Sequence, residues 1–367
     1  MILSTQNKRG QLLFLFFSTS FSVIGFANED YSLQYQSVIF EAERSSKSNY
    51  GLITNDFWNK QNLTSSPHQV IGELEIFLKL SAQFNYFEFY VGRENIHTFV
   101  GSANALTIAA NDSKYATPGI FPINGSYKFF DYNTVGISKT KFLDSKIVDL
   151  TIAPEFITLH NFQAAQGNAV LNYSYNNSSL IGNLDRQGIN SYGFLQNVNN
   201  TELGYGYSVN SSLNIHQPQF DVSVKAKNAI SGIFVTNYFF SNMIINANEE
   251  SNKFVYSSVP TITGNYGQTS RQMKLPLISE VVISSKINPA LGMGFRGIDS
   301  NYYTFIKSEY SYLDYQTNVE INSLNNLTMF FIIKNFGTPN LNVSIAAAVA
   351  AGESKPNVYF TKITYAY

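Results

Sequence analysis

The stretch Gly72–Phe84, GELEIFLKLSAQF, decides the fold. Leu74, Ile76, Leu78, Leu80 and Phe84 share one parity, while Glu73, Glu75, Lys79, Ser81 and Gln83 take the other. Successive side chains of a strand point to opposite faces, so this spacing predicts a strand with one apolar and one polar face. The split recurs in ELGYGYSVN, where Leu203, Tyr205, Tyr207 and Val209 oppose Gly204, Gly206, Ser208 and Asn210. In QFDVSVKA, Phe220, Val222 and Val224 oppose Asp221, Ser223 and Lys225. Further along, Leu291, Met293 and Phe295 oppose Arg296 and two glycines, and Val319 and Ile321 oppose Asn318 and Glu320. Near the end, Leu341, Val343 and Ile345 oppose Asn342 and Ser344. Such segments run about nine to eleven residues, the length a tilted strand needs to cross a bilayer. Between them stand turn signals such as Asn176-Asn177-Ser178-Ser179 and Asn288-Pro289.

Composition points the same way. Charged residues make up 13% of the chain, about half the share of an ordinary soluble protein, and aromatics reach 15%. The aromatics gather at segment ends, as at Tyr86 with Phe87, Phe129 with Phe130, Tyr302 with Tyr303, and Tyr365 with Tyr367. A soluble sandwich also alternates, but charge avoidance with aromatic strand ends is the pattern of a membrane barrel and its two interfacial girdles. Lipid offers no partner to a free amide, so β-structure spanning it must close on itself. The expectation is an all-β, transmembrane, antiparallel up-and-down barrel of about 16 strands, with 14 to 18 compatible, enclosing an aqueous channel.

The N-terminus reads as a secretory signal peptide, residues 1–27: Lys8 and Arg9, an apolar run from Leu12 to Phe17, then Gly25-Phe26-Ala27 before the cut. Residues 28–367 then form a single barrel in the outer membrane of a Gram-negative cell, with its lipid and lipopolysaccharide as surroundings. Cysteine is absent, which excludes disulfides and thiolate metal sites. With 24 Lys and Arg against 25 Asp and Glu, nothing suggests a nucleic-acid partner. His68, His97, His160 and His216 lie in no catalytic or metal-binding motif, and no phosphate-binding glycine loop is present, so no enzyme activity, metal or cofactor is expected.

By parity, Glu73, Glu75, Lys79, Asp221, Lys225, Arg296, Glu320 and Lys362 face the lumen, because a charge on the lipid side is costly. Arg93 has the parity of Phe89 and Val91, which places it at a strand end or after a bulge. One gap breaks the strand rhythm: Asn95 to Ser126 reads as a long loop, too apolar for a solvated tail, folded against the inner wall.

Gly92-Arg93-Glu94, then Pro118-Gly119-Ile120-Phe121-Pro122, then Tyr132-Asn133-Thr134-Val135-Gly136 stand in the order and spacing that resembles the general diffusion porins of Gram-negative bacteria. The resemblance implies a homotrimer that passes small hydrophilic solutes and ions passively, with the loop at about 95–126 narrowing the pore and Asp112 and Lys114 at the constriction. It also implies that the last strand, with Tyr359, Ile363, Tyr365 and Tyr367, carries the signal read by the barrel-assembly machinery. Two other expectations stay open. One is a substrate-selective channel in which Phe77 and Tyr90 form a greasy slide, and the other is a non-conducting structural or adhesion barrel with a plugged lumen.

Overall fold

The computed structural model describes residues 35–48, 69–84, 87–105, 118–139, 147–174, 178–189, 204–249, 261–287, 289–312, 315–322, 327–338, 341–350 and 358–366. The first eight strands are β1 (Tyr35–Ser48), β2 (Gln69–Phe84), β3 (Phe87–Ser102), β4 (Gly119–Lys139), β5 (Val148–Tyr173), β6 (Ser178–Ile189), β7 (Gly204–His216) and β8 (Phe220–Glu249). The next eight are β9 (Thr261–Met273), β10 (Ile278–Ser285), β11 (Ala290–Ile298), β12 (Asn301–Tyr312), β13 (Tyr315–Asn322), β14 (Leu327–Thr338), β15 (Leu341–Ala350) and β16 (Val358–Ala366). All pair antiparallel in one 16-stranded sheet. That sheet closes, because β16 returns to β1 in a continuous register from Ser37 opposite Ala366 to Arg44 opposite Tyr359.

Sixteen strands occupy fourteen positions around the ring. The strands β6 and β7 lie end to end between the same two neighbours: β5 gives its far half to β6 and its near half to β7, and β8 does the same. Likewise β9 and β10 lie end to end along β8. They are parted at Lys274-Leu275-Pro276-Leu277, where Pro276 has no N–H for the ladder. Two positions therefore hold two strands each. The long strands β5, with 26 residues, and β8, with 30, exceed the nine to eleven expected for a crossing.

Polarity is reversed relative to a soluble barrel. On β2, Ile76, Leu78 and Leu80 are 39%, 49% and 48% exposed on the outer face, while Glu73 is buried and Glu75 and Lys79 are half-buried within. Register carries the apolar stripe outward from strand to strand: Ile363 lies opposite Phe40, Phe40 opposite Leu80, Leu80 opposite Val91, Val91 opposite Val135, and Val135 opposite Phe156. Outer aromatics pair across strands, with Phe156 against Tyr205 and Phe295 against Tyr302.

Two expectations need correction. Both ends of the loop drawn from Asn95 to Ser126 are strand, since β3 continues to Ser102 and β4 begins at Gly119, while residues 106–117 lie outside the described residues. Its inward residues Ile96 and Val100 are apolar because the barrel interior is packed there, so the outside-apolar rule that exposes a strand in the sequence fails locally. Asn104 buries its amide against the Pro122 carbonyl at 3.1 Å, which folds the start of the connection back on β4. Arg93 is not at a strand end but within β3, on the outer face, paired with Asp131 at 2.9 Å. The bulge lies in the neighbouring ladder of β4 with β5, between Asp131 and Tyr132.

A second irregularity positions the interior. Between Val209 opposite Ile230 and Ser211 opposite Ala226, three residues of β8 face Asn210 alone. Asn228 takes the left-handed conformation there, with φ 57°. Its N–H donates to Asn210 Oδ1 at 2.8 Å, its Oδ1 accepts from Ser208 Oγ at 2.8 Å, and its Nδ2 donates to the Pro276 carbonyl at 3.1 Å. Asparagine tolerates this φ, and its side chain ties β7, β8 and the break before β10. Asn228→Ala should destabilise the barrel by about 2–4 kcal/mol, through lost buried hydrogen bonds and backbone strain. Asn228→Gly, which relieves the strain alone, should cost about 1 kcal/mol less. Urea unfolding of the two variants in detergent or liposomes checks the order.

Candidate functional site: the barrel interior

The interior is divided lengthwise. Toward the end where β1 begins and β16 stops lies a cavity of about 370 Å³, walled by β1 to β5, β7 and β8, with Glu75, Phe77, Lys79, Tyr90, Glu94, Glu155 and Lys225 among its lining. The bulge on β8 aims Lys227 across the bore at β2 and β3, where it meets Glu75 and, at 2.7 Å, Glu94. Glu94 also accepts from the buried Tyr132 hydroxyl at 2.6 Å. Lys79 pairs with Glu88 at 2.8 Å and lies 4.5 Å from the Tyr90 ring centroid. Tyr90 and Asn210 both donate to Glu155 Oε1, each at 2.8 Å. Gly136 leaves room for that geometry, because a Cβ there would lie 2.4 Å from the Tyr90 ring.

Beyond the chamber the walls meet. Ile96, Phe130, Tyr132, Ile157, Leu159, Phe162, Ile233 and Val235 form one buried cluster on the inner face of β3 to β8. From the other side, Ile71 of β2 packs on Val282, Ile298, Tyr303 and Phe305 of β10 to β12, so strands far apart around the ring touch across the bore. Polar struts reinforce the waist: Lys128 to Asp299 at 2.9 Å, and Gln69 to Asn301 at 2.7 Å. Arg296 is the densest knot, bonded through Nε to Glu280 at 2.7 Å and through Nη1 to Glu320 at 3.0 Å and the Tyr303 hydroxyl at 3.1 Å. Past the waist a second cavity, also about 370 Å³, is lined by neutral amides and hydroxyls such as Gln69, Ser102, Asn124, Gln166 and Asn168.

Most residues singled out by parity lie on the inner face, but in different settings. Glu75, Lys79 and Lys225 line the chamber. Glu73 is buried higher on β2, and Arg296 and Glu320 belong to the waist. Asp221 sits at the lip, 2.8 Å from His216 and 3.1 Å from Lys286, and His216 reaches Asp149 at 3.2 Å with its other nitrogen. Lys362 stands opposite Glu41 in register, its side chain outside the described residues. Asp112, Lys114 and Tyr367 also lie outside the described residues. On β16, Ile363 and Tyr365 are exposed on the outer face, and Tyr359 stands opposite Arg44. Residues the sequence reading missed include Glu155 and Lys227. Glu155 was reachable, since Ala153, Glu155 and Ile157 alternate with Pro154 and Phe156. The reach of Lys227 depends on the bulge, which no period reveals.

No protein-family model matches the chain, and no curated protein sequence does. Among solved structures, it is similar to the TodX deltaS2S3 mutant monoaromatic hydrocarbon channel, at 8% identity and TM-score 0.43 over 92% of this chain and 90% of that one. It is also similar to the translocator domain of the autotransporter NalP from Neisseria meningitidis, at 6% identity and TM-score 0.28 over 99% and 97% of the two chains.

Arg296→Met leaves Glu280 and Glu320 facing each other in the waist without their cation. The expected cost is about 3–5 kcal/mol, because an uncompensated buried charge is worse than a missing pair. Adding Glu280→Gln and Glu320→Gln to Arg296→Met should recover most of that loss in the same urea titration.

Proposed function

We propose that the protein is an outer-membrane channel, selective for particular small solutes, exported by residues 1–27 and embedded through its apolar outer stripe. The observation that carries the proposal is the reversed polarity of a closed barrel, with leucine and isoleucine outside and carboxylates, lysines and amides enclosed. Closure pairs the first strand with the last and so removes the two terminal edges an open sheet would have, as β-structure in lipid requires. What favours selectivity over general diffusion is the waist: Ile71 against Tyr303 and Phe305 narrows the bore through the walls themselves. A constriction made by wall packing passes only solutes that the chambers on either side bind and release.

Planar-bilayer recording of the refolded protein tests the reading. Small, infrequent steps with saturable block by solute are expected, and Ile71→Gly combined with Phe305→Ala should enlarge them. Large steady steps from the unaltered protein would return it to general diffusion, and silence from both proteins would sink the channel altogether. The membrane face is tested separately: Leu80→Arg should destabilise the liposome-folded barrel by about 2–4 kcal/mol. An unchanged urea midpoint in liposomes would place that stripe outside the lipid.

A further inference from the structure

Among the described residues, the chamber carries five carboxylates against the three ammonium groups of Lys79, Lys225 and Lys227. The lysines are already committed in part: Lys79 is held by Glu88, and Lys227 is shared between Glu75 and Glu94. Glu155 is different. Its residue is 6% exposed, and it makes no ion pair among the described residues. Its two hydrogen bonds come from neutral donors, the Tyr90 hydroxyl and the Asn210 amide, and both end on Oε1. Oε2 is thus the acceptor that the side chain offers the cavity it lines. A carboxylate this enclosed is costly to keep ionised unless a cation stands against it.

The support around Glu155 is rigid. Asn210 is itself fixed by the Asn228 N–H, and Tyr90 is seated in the space left by Gly136. A carboxylate held by neutral donors on one oxygen, with the other without a hydrogen bond among the described residues and the residue lining a cavity that carries more carboxylates than ammonium groups, is a receptor for a compact positive charge.

We propose that this chamber binds a compact monovalent cation, either an alkali ion or the ammonium head of a small organic solute, against Glu155 Oε2, and that the channel consequently favours cations. The preference for cations in transport rests on the channel reading above; the binding site does not. Crystals of the folded protein soaked in rubidium chloride read the site directly. An anomalous peak beside the Glu155 carboxylate is expected, absent in Glu155→Gln. An empty chamber in the unaltered protein, or a peak undiminished in Glu155→Gln, overturns the site. Loss of the peak in excess methylammonium chloride assigns the site to both sources of charge, and its survival confines it to alkali ions. In a potassium chloride gradient across a bilayer, the reversal potential should report cation preference that falls roughly fivefold in Glu155→Gln. An unchanged ratio overturns the selectivity role. A protein that binds rubidium yet never conducts overturns the channel reading and leaves the site standing.

Discussion

The pairing of the first strand with the last is the contact on which the rest depends. From Ser37 opposite Ala366 to Arg44 opposite Tyr359, it converts an open sheet with two edges into a ring. Every inward residue acquires its meaning from that closure. Glu75 and Lys227, separated by much of the chain, meet because the ring brings β2 and β8 to face each other across the bore. Closure also explains how a chain without cysteine holds its shape: one set of backbone ladders runs round the circumference through β5, β7, β8 and β10, and the interior struts then fix the cross-section.

The interior departs from a uniform water-filled bore. A charged chamber, a waist of apolar packing braced by ion pairs and a neutral polar chamber follow one another, each built by the inward parity of the strands around it. On β3 the inward residues Tyr90 and Glu94 line the chamber, and Ile96 and Val100, with the buried Thr98 between them, belong to the waist. The wide bulge at Asn228 supplies what alternation cannot, a lysine directed across rather than along the wall.

The barrel was legible in the sequence wherever inside and outside differ in polarity, as on β2, β11 and β16. It was illegible where the inside is apolar. Ile96, Phe130 and Ile233 face inward yet look like lipid-facing residues, so the segment around Asn95 to Ser126 lost its strand signal and read as a loop. The number of strands was near the mark because turn residues punctuate the chain. That two pairs of strands share one place each was hidden, since collinearity is a property of the neighbours' register and not of the segments themselves. The chamber was half visible: Glu75, Lys79 and Lys225 follow from parity, whereas the partnership of Glu155 with Tyr90 and Asn210 spans three strands and has no sequence signature.

The two breaks flank the same strand. On one side of β8 the ladder passes from β6 to β7, and on the other from β9 to β10, so β8 is the sole unbroken rail between them. Tension applied to the far halves of these strands can descend through β8, as well as through β5 beside β6 and β7 and through the chain that links β9 to β10, and the Asn228 bulge lies in the β8 path. A pull on the outer rim of the barrel is thereby delivered to the residue beside Lys227, which makes this stretch of wall a mechanical line between what happens at the mouth and how the charges of the chamber are set.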